Sequence, residues 1–156
     1  MSTDARLIKG PKLYVVGFFF NKQTRSVVLI QKLTPEWQMG RYNGVGGKVE
    51  GHETPHDAMV REFKEETDAL VRKWDLFAEL HGGMGNDRWI VYYFRAFTTL
   101  ALASVVRTME AEPIRVVSTY NVKVPACLPN LTWLIPMALS MDYDRAESFY
   151  IGEQYP

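Results

Sequence analysis

The chain has 156 residues, of which 47% are hydrophobic, and this fits a single domain over residues 1–156 with a substantial apolar core. Its formal net charge is zero, so it has no global basic field, and we do not expect long nucleic acid as the main partner. A single cysteine excludes an internal disulfide. The sequence shows no secretory signal and no run near the ~20 apolar residues that cross a bilayer, so we expect a cytoplasmic protein without a membrane partner, either a monomer or a homodimer.

Two apolar stretches after a short tail, residues 1–11, predict a β-hairpin. Residues 13–20 are β-branched and aromatic, and residues 26–32 follow a polar turn. The next stretch, 34–41, is predicted to be a loop that carries Trp37. An exposed Trp in such a loop is either a platform on which a base stacks or a lid over the core.

The block YNGVGGKV at residues 42–49 has three glycines in four positions. Glycine permits close approach of the backbone and unusual dihedral angles, so a tight hairpin turn is one interpretation. Because an acidic helix follows directly, we favour a loop that places backbone groups at a ligand. Asn43 opens this block, and an Asn there can also be a turn residue whose side chain bonds the local backbone.

A helix is predicted from Pro55 to about Thr67. Thr54 is a good N-cap, and proline is tolerated at the first helical position, where its missing N–H costs nothing. Three carboxylates, three and four positions apart, share one face of this helix and repel each other. The face is therefore either a solvated acidic surface or a site for hard divalent cations. The three residues are Glu62, Glu65 and Glu66.

The wider spacing favours the cation site. Residues 47–69, GKVEGHETPHDAMVREFKEETDA, resemble the Nudix box, which reads Gly, five residues, Glu, seven residues, then Arg-Glu-apolar-any-Glu-Glu-any-Gly-apolar. Eight of the nine specified positions match, and Asp68 stands where the family has Gly. That Gly lies in the turn that ends the helix, where Asp also adopts the left-handed conformation at moderate cost. We expect the turn to survive, with the geometry of the following loop in question.

Beyond the box, the pattern predicts mainly strands. Residues 71–81 and 88–98 suit two paired strands joined by a glycine-rich turn, and 114–118 suit a short one. Residues 100–110 are either a strand extension or a loop that crosses the site. A last helix follows, and if Thr132 is its N-cap, Pro136 lies at the edge of the first turn, where proline is tolerated. The tail over 142–156 could add a final strand that packs on the core.

The resemblance implies a fold of the α/β class (an α+β mixed sheet) arranged as a Nudix-type α/β/α sandwich. The box helix would cover one face of the sheet, and the last helix would cover the other. The predicted order of strands and helices is compatible with this arrangement.

The resemblance to MutT-like members of the family also implies an activity. It implies a Mg²⁺-dependent hydrolase, with Mn²⁺ as a substitute, that cleaves a phosphoanhydride of a nucleoside triphosphate to the monophosphate and pyrophosphate. The catalytic residues carried over from the box are Glu53, Arg61, Glu62, Glu65 and Glu66. The implied metal ligands are the Gly46 carbonyl, Glu62, Glu65, Glu66 and Glu112. Glu110 is the second choice to Glu112, and each of these two acids could instead be a solvated loop residue. Which Glu is the general base stays open.

Four residues are candidates for binding the substrate. YNGVGGKV is similar to the block with which oxidised-purine triphosphatases of the family contact the base, and this points to Asn43 and to an oxidised or non-standard purine. Asn130 matches a base-contacting acid by its spacing from Pro129 and could equally be a plain helix-start residue. Lys48 is either a phosphate contact or a surface lysine, and Trp37 would stack on the base. Alternative substrates are dinucleotides, nucleotide sugars and capped RNA, and a non-catalytic nucleotide-binding module is the remaining alternative.

Overall fold

A computed structural model describes residues 9–123, 126–140 and 149–152. The described part of the chain contains three α-helices and eight strands, which loops and short 3₁₀ helices connect. The helices are α1, Pro55–Thr67; α2, Leu102–Val105; and α3, Leu131–Leu139. The strands are β1, Lys12–Asn21; β2, Ser26–Gln31; β3, Tyr42–Asn43; β4, Val45–Lys48; β5, Asp75–Gly82; β6, Trp89–Thr98; β7, Ile114–Ser118; and β8, Phe149–Gly152.

The strands form one mixed sheet with the order β3-β2-β1-β6-β5-β8. The central pair, β1 and β6, is parallel over ten residue pairs, from Lys12 opposite Trp89 to Asn21 opposite Thr98. Strand β4 pairs antiparallel with β1, and β7 pairs antiparallel with β2. The predicted hairpins β1–β2 and β5–β6 are both present.

Alternate side chains of β1 enter two separate apolar clusters, as the two-residue period of a strand requires. Phe18 and Phe20 pack with Leu131 and Leu134 of α3 on one face. Val15 and Phe19 of β1 pack on the other face with Ala58, Met59 and Phe63 of α1. With α1 and α3 on opposite faces of the mixed sheet, the predicted α/β/α sandwich is confirmed.

Residues 45–48 correct the prediction of a loop in the glycine-rich block. They form β4, in which Gly46 lies opposite Val16 and Gly47 lies opposite Val15. Glycine disfavours strands by itself, so the pairing with β1 decides the conformation here. The result places the glycines beside α1 in a fixed register.

Three further expectations change in detail. The segment 100–110 is neither a strand extension nor wholly a loop, because it contains α2. The N-cap of α3 is Asn130, so the prediction of Thr132 is wrong and Pro136 lies inside the helix. The predicted final strand is present as β8, parallel to β5, and the rest of the tail lies outside the described residues. None of the helices in the described ranges has the length and apolar character that a bilayer crossing requires.

Candidate active site

Both ends of α1 are fixed by local hydrogen bonds. The Thr54 hydroxyl accepts a hydrogen bond from the Asp57 amide at 3.1 Å, as an N-cap residue does. At the other end, Asp68 adopts the left-handed conformation with φ of 59°, and its amide donates to the Lys64 carbonyl. The turn therefore survives with Asp in it. The Asp68 carboxylate accepts hydrogen bonds from Lys64 and Arg107, and the Lys64 contact lowers the pKa of Asp68.

The approach of β4 to α1 leaves no room for a side chain at position 47. A Cβ built on Gly47 would lie 2.5 Å from the carboxyl carbon and both oxygens of Glu62. A Cβ at Gly46 would meet the Val15 carbonyl oxygen at 1.9 Å. Gly47 thus brings the backbone of β4 against Glu62 on the acidic face of the helix, and Gly46 permits the close approach of β4 to β1.

Arg61 gathers three of the predicted catalytic carboxylates around one guanidinium. It binds Glu53 through two hydrogen bonds of 2.6 and 3.0 Å, and its Nη1 donates to Glu62 at 2.8 Å and to Glu65 at 3.1 Å. Its Nη2 also donates to the Lys48 carbonyl at 3.1 Å, which joins the helix to the end of β4. The bonds from Arg61 lower the pKa of Glu53, whereas burial raises the pKa of Glu62.

Glu66 lies deeper than the other box carboxylates, with 8% of its surface exposed. Its Oε2 atom is buried and has no hydrogen-bond partner among the described residues. Burial raises the pKa of Glu66 to about 7, and the negative charges of Glu110 and Glu112 add to this effect. The carboxylate is therefore held in a place that favours its neutral form unless a positive charge is added.

The loop before β7 crosses the end of α1. The amides of Arg107 and Met109 donate to the carbonyls of Thr67 and Glu66. Further along, Glu112 accepts a hydrogen bond from Lys32 Nζ at 2.6 Å and others from the amides of Leu33 and Thr34. Burial opposes ionisation of Glu112, but the bonds from Lys32 and Leu33 lower its pKa overall.

A pocket of about 730 Å³ opens next to this acidic face. It runs from the glycines of β4 to the start of α3, and a loop on the outer side completes its wall. Aromatic and apolar side chains form much of its lining: Tyr14, Leu80, Trp89, Val91, Tyr93 and Leu128. The volume and lining suit a small molecule with a flat apolar ring and a polar extension.

The family model for the NUDIX domain matches residues 10–119, which is more than half of the chain. The chain belongs to the Nudix family. The predicted enzyme class, a Nudix pyrophosphohydrolase, is thereby confirmed. Nudix hydrolases generally use divalent metal ions and act on small nucleotides.

Solved structures of Nudix proteins share the fold at low sequence identity. The MutT Nudix hydrolase of Burkholderia pseudomallei is 16% identical, with 83% of this chain and 98% of that chain covered and a TM-score of 0.67. The MutT protein of Bacillus halodurans is 19% identical, with 90% and 89% covered and a TM-score of 0.66. The NUDIX domain of Shewanella oneidensis NrtR, complexed with ADP ribose, is 16% identical, with 86% and 90% covered and a TM-score of 0.70. A search of curated proteins finds no significant match.

The Nudix box residues of this chain fit a divalent cation chemically. They offer hard carboxylate oxygens, of which the buried Oε2 of Glu66 lacks a donor among the described residues, and their mutual repulsion favours an added positive charge. In the described part of the chain, no three acidic, histidine or cysteine side chains are already arranged as a metal cage. Arg61 holds oxygens of Glu53, Glu62 and Glu65 instead.

The four predicted substrate residues all line the pocket, as does Gly46. Trp37 is 68% exposed and forms part of the outer wall, so it does not cover the core. The Asn43 side chain accepts a hydrogen bond from the Gly44 amide at 2.8 Å, as a turn residue would. Asn130 starts α3, donates to the Tyr93 hydroxyl at 3.4 Å, and leaves its buried Oδ1 without a partner in the described ranges. Lys48 is exposed at the pocket edge.

Lys32 is a residue that the sequence reasoning missed. It lines the pocket, binds Glu112, and its positive charge opposes the rise in the pKa of Glu66. The two-residue period of β2, continued from Val28 and Ile30, directs position 32 toward the face that carries α1. That period is the signal that could have placed Lys32 near the box.

Gly47→Ala is expected to lower turnover at least about tenfold, because the new methyl displaces the Glu62 carboxylate and small misplacements at a site are costly. The far end of a side chain can yield, so we expect the fold to persist. Steady-state kinetics and thermal unfolding of the variant check both statements. Gly10→Ala is the matched control, because none of the described residues apart from its chain neighbours lies within 4 Å of a Cβ at this position. Unchanged kinetics in Gly47→Ala would contradict the catalytic role predicted for Glu62.

Proposed function

We propose that this Nudix protein is a Mg²⁺-dependent hydrolase that converts a nucleoside triphosphate to the monophosphate and pyrophosphate. One observation carries the proposal: one pocket is lined both by aromatic side chains, Trp89 and Tyr93 among them, and by Gly47, which lies against Glu62 on the acidic face of α1. A nucleotide with its base against the aromatic side chains would direct its phosphates toward the carboxylates. Mn²⁺ would substitute for Mg²⁺, since both accept hard oxygen ligands.

Glu62, Glu65, Glu66 and the Gly46 carbonyl would hold the metal ions. When bound, such ions neutralise phosphate charge and lower the pKa of water. Arg61 acts through the carboxylates, because its hydrogen bonds fix Glu53, Glu62 and Glu65 relative to one another. Glu53, held at two points by Arg61, would orient the attacking water, and Lys48, which lines the pocket, would meet a phosphate.

The base that we propose is an oxidised or otherwise non-standard purine. The aromatic side chains of the pocket, with Trp37 at the outer wall, offer stacking surfaces for a bicyclic ring. Asn43 and Asn130 lie in the same pocket, and an amide can both donate and accept hydrogen bonds. The pair therefore suits a base edge that carries an N–H next to a carbonyl.

Asn130→Ala should raise KM for the preferred nucleotide about tenfold, which corresponds to one lost hydrogen bond of ordinary strength, with kcat nearly unchanged. The reason is that Asn130 lines the pocket and is not one of the carboxylates that would hold the metal ions. The measurement is steady-state kinetics with the preferred nucleotide. Asn121→Ala, at an exposed position away from the pocket, is the control. A fall in kcat with KM constant would contradict the role in base binding.

A substrate panel tests the proposal as a whole. The purified protein, with Mg²⁺, is offered ordinary and oxidised nucleoside triphosphates, dinucleotides, nucleotide sugars including ADP ribose, and capped RNA, and the products of each reaction are separated and identified by chromatography. The proposal expects one triphosphate to be preferred and to yield pyrophosphate. Activity confined to the other substrates would contradict it.

A second candidate function has a specific observation in its favour. The Nudix domain of Shewanella oneidensis NrtR, which has a similar fold, is complexed with ADP ribose. ADP ribose joins two sugars through a diphosphate, so a pocket that takes a base at one end and phosphates at the other would also accept it. The panel separates the two, because cleavage of ADP ribose releases no pyrophosphate.

Glu65→Gln separates the enzyme from a module that only binds nucleotide. We expect its turnover to fall at least about tenfold, as for loss of a metal ligand, while the fold persists because Glu65 is half-exposed and the change preserves its shape. Asp75→Asn, an exposed acid on β5, is the control. Unchanged turnover in the purified variant would remove the metal role from Glu65.

We further propose that residues 1–156 act as one domain in the cytoplasm. The packing of α3 against the sheet supports the proposal of one domain.

A further inference from the structure

The outer wall of the pocket is a loop over residues 33–41, here called the pocket loop. Its base is closed by two backbone hydrogen bonds, from the Lys32 amide to the Arg41 carbonyl and from the Gly40 amide to the Lys32 carbonyl. Its tip, Glu36–Gln38, contains no buried residue, and Trp37 within it is largely exposed. The core therefore does not hold the tip, and the position of the wall depends on how the base of the loop is fixed.

Glu112, which is distant in sequence, supplies a further attachment for the base of the pocket loop. Its Oε1 accepts from Lys32 Nζ, and its Oε2 accepts from the amides of Leu33 and Thr34. The side chains of Lys32 and Glu112 are only 18% and 17% exposed, so water competes weakly for the pair. One carboxylate oxygen thus holds the first two residues of the pocket loop, and the other holds Lys32 directly before it.

The sheet explains why this contact forms across 80 residues of sequence. Ile30 pairs with Ile114, and the Gln31 amide donates to the Pro113 carbonyl, so the end of β2 and the start of β7 are in register. Glu112 lies one residue before Pro113 and consequently meets the chain just where it leaves β2. The position of the carboxylate is set by a strand ladder and does not rely on a mobile loop.

We propose that Glu112 is a positioning residue that anchors the pocket loop. The effect of this anchor on catalysis rests on the proposed function, because it requires that the pocket bind the nucleotide. The assignment differs from the metal-ligand role that the sequence predicts for Glu112, because the same two oxygens serve the loop. Loss of the anchor would loosen the pocket wall and weaken nucleotide binding while leaving the carboxylates of α1 in place.

Amide hydrogen exchange on the metal-free, nucleotide-free protein tests the anchor directly. In Glu112→Ala the Leu33 and Thr34 amides lose their acceptor, so their exchange should accelerate at least about tenfold. Glu110→Ala, two positions away on the same loop, should leave both rates unchanged. Glu112→Gln retains a carbonyl oxygen and should restore part of the protection, and it serves as the second variant if the alanine variant does not fold. Unchanged exchange in both Glu112 variants would overturn the proposal.

Two further readouts separate an anchor from a metal ligand. Mn²⁺ binding, measured by electron paramagnetic resonance without nucleotide, should keep its affinity within about threefold in Glu112→Gln, since a direct ligand would cost at least tenfold. With a nucleotide that is turned over, KM should rise while kcat stays nearly constant. Loss of Mn²⁺ affinity with normal exchange would identify Glu112 as a ligand and overturn the anchor. The exchange result stands even if no nucleotide is cleaved, so failure of the proposed function is distinguishable.

Discussion

Replacement of Glu66 by Gln is expected to lower kcat at least about a hundredfold, because the residue combines direct proximity to the proposed metal ions with burial. Its Oε2 has no donor within the described residues, and its carboxylate faces the charges of Glu110 and Glu112. An amide cannot supply the negative charge that a divalent cation requires. The measurement is kcat with the preferred substrate at saturating Mg²⁺.

The same substitution should not weaken the fold. A neutral amide of equal shape avoids the repulsion and the burial of charge that Glu66 carries, so the free energy of unfolding should stay constant or rise. Urea unfolding without metal measures this, and Asp75→Asn on β5 controls for the general effect of losing an acid. A variant that is stable and retains kcat within threefold of the wild type would remove Glu66 from the metal site.

The metal-free protein should lose stability as the pH rises from about 4.5 to about 7. In the folded state Glu66 holds its proton up to a pKa of about 7, whereas in the unfolded chain it releases the proton near 4.5. The folded state therefore binds more protons in this window, and the free energy of unfolding falls with rising pH, by up to about 3 kcal/mol. Burial raises the pKa of Glu62 as well, which acts in the same direction.

Urea unfolding at several pH values with a chelator measures this dependence. Glu66→Gln should flatten most of the decline and is the matched control. The lowered pKa values of Glu53 and Glu112 act in the opposite sense, but their effect lies at lower pH, where these groups take up protons. A decline of equal size in wild type and Glu66→Gln would show that other groups cause it.

The sequence predicted α1 well because its determinants are local. Thr54 and Pro55 mark the first turn, and the spacing of three Glu residues places them on one face whatever the rest of the chain does. The left-handed turn at Asp68 also depends on local geometry alone. The sandwich followed from the resemblance to Nudix proteins, since the strand and helix order was only compatible with it.

The misses share a non-local cause. Residues 45–48 become β4 because β1 pairs with them, although glycine has little strand preference. Pro136 lies inside α3. Because proline is disfavoured in helix interiors, the prediction placed the N-cap at Thr132, two residues after its position at Asn130. The contact between Lys32 and Glu112 depends on the β2–β7 register, which no local pattern sets.

The most direct test of the account is ³¹P NMR of the products from one nucleoside triphosphate, chosen as the best in the panel, with Mg²⁺ and with a chelator in place of Mg²⁺. We predict stoichiometric monophosphate and pyrophosphate with the metal and no cleavage with the chelator. Release of inorganic phosphate and a nucleoside diphosphate would contradict the proposed cleavage to monophosphate and pyrophosphate. Cleavage that persists without metal would contradict a Nudix metal centre formed by the carboxylates of α1.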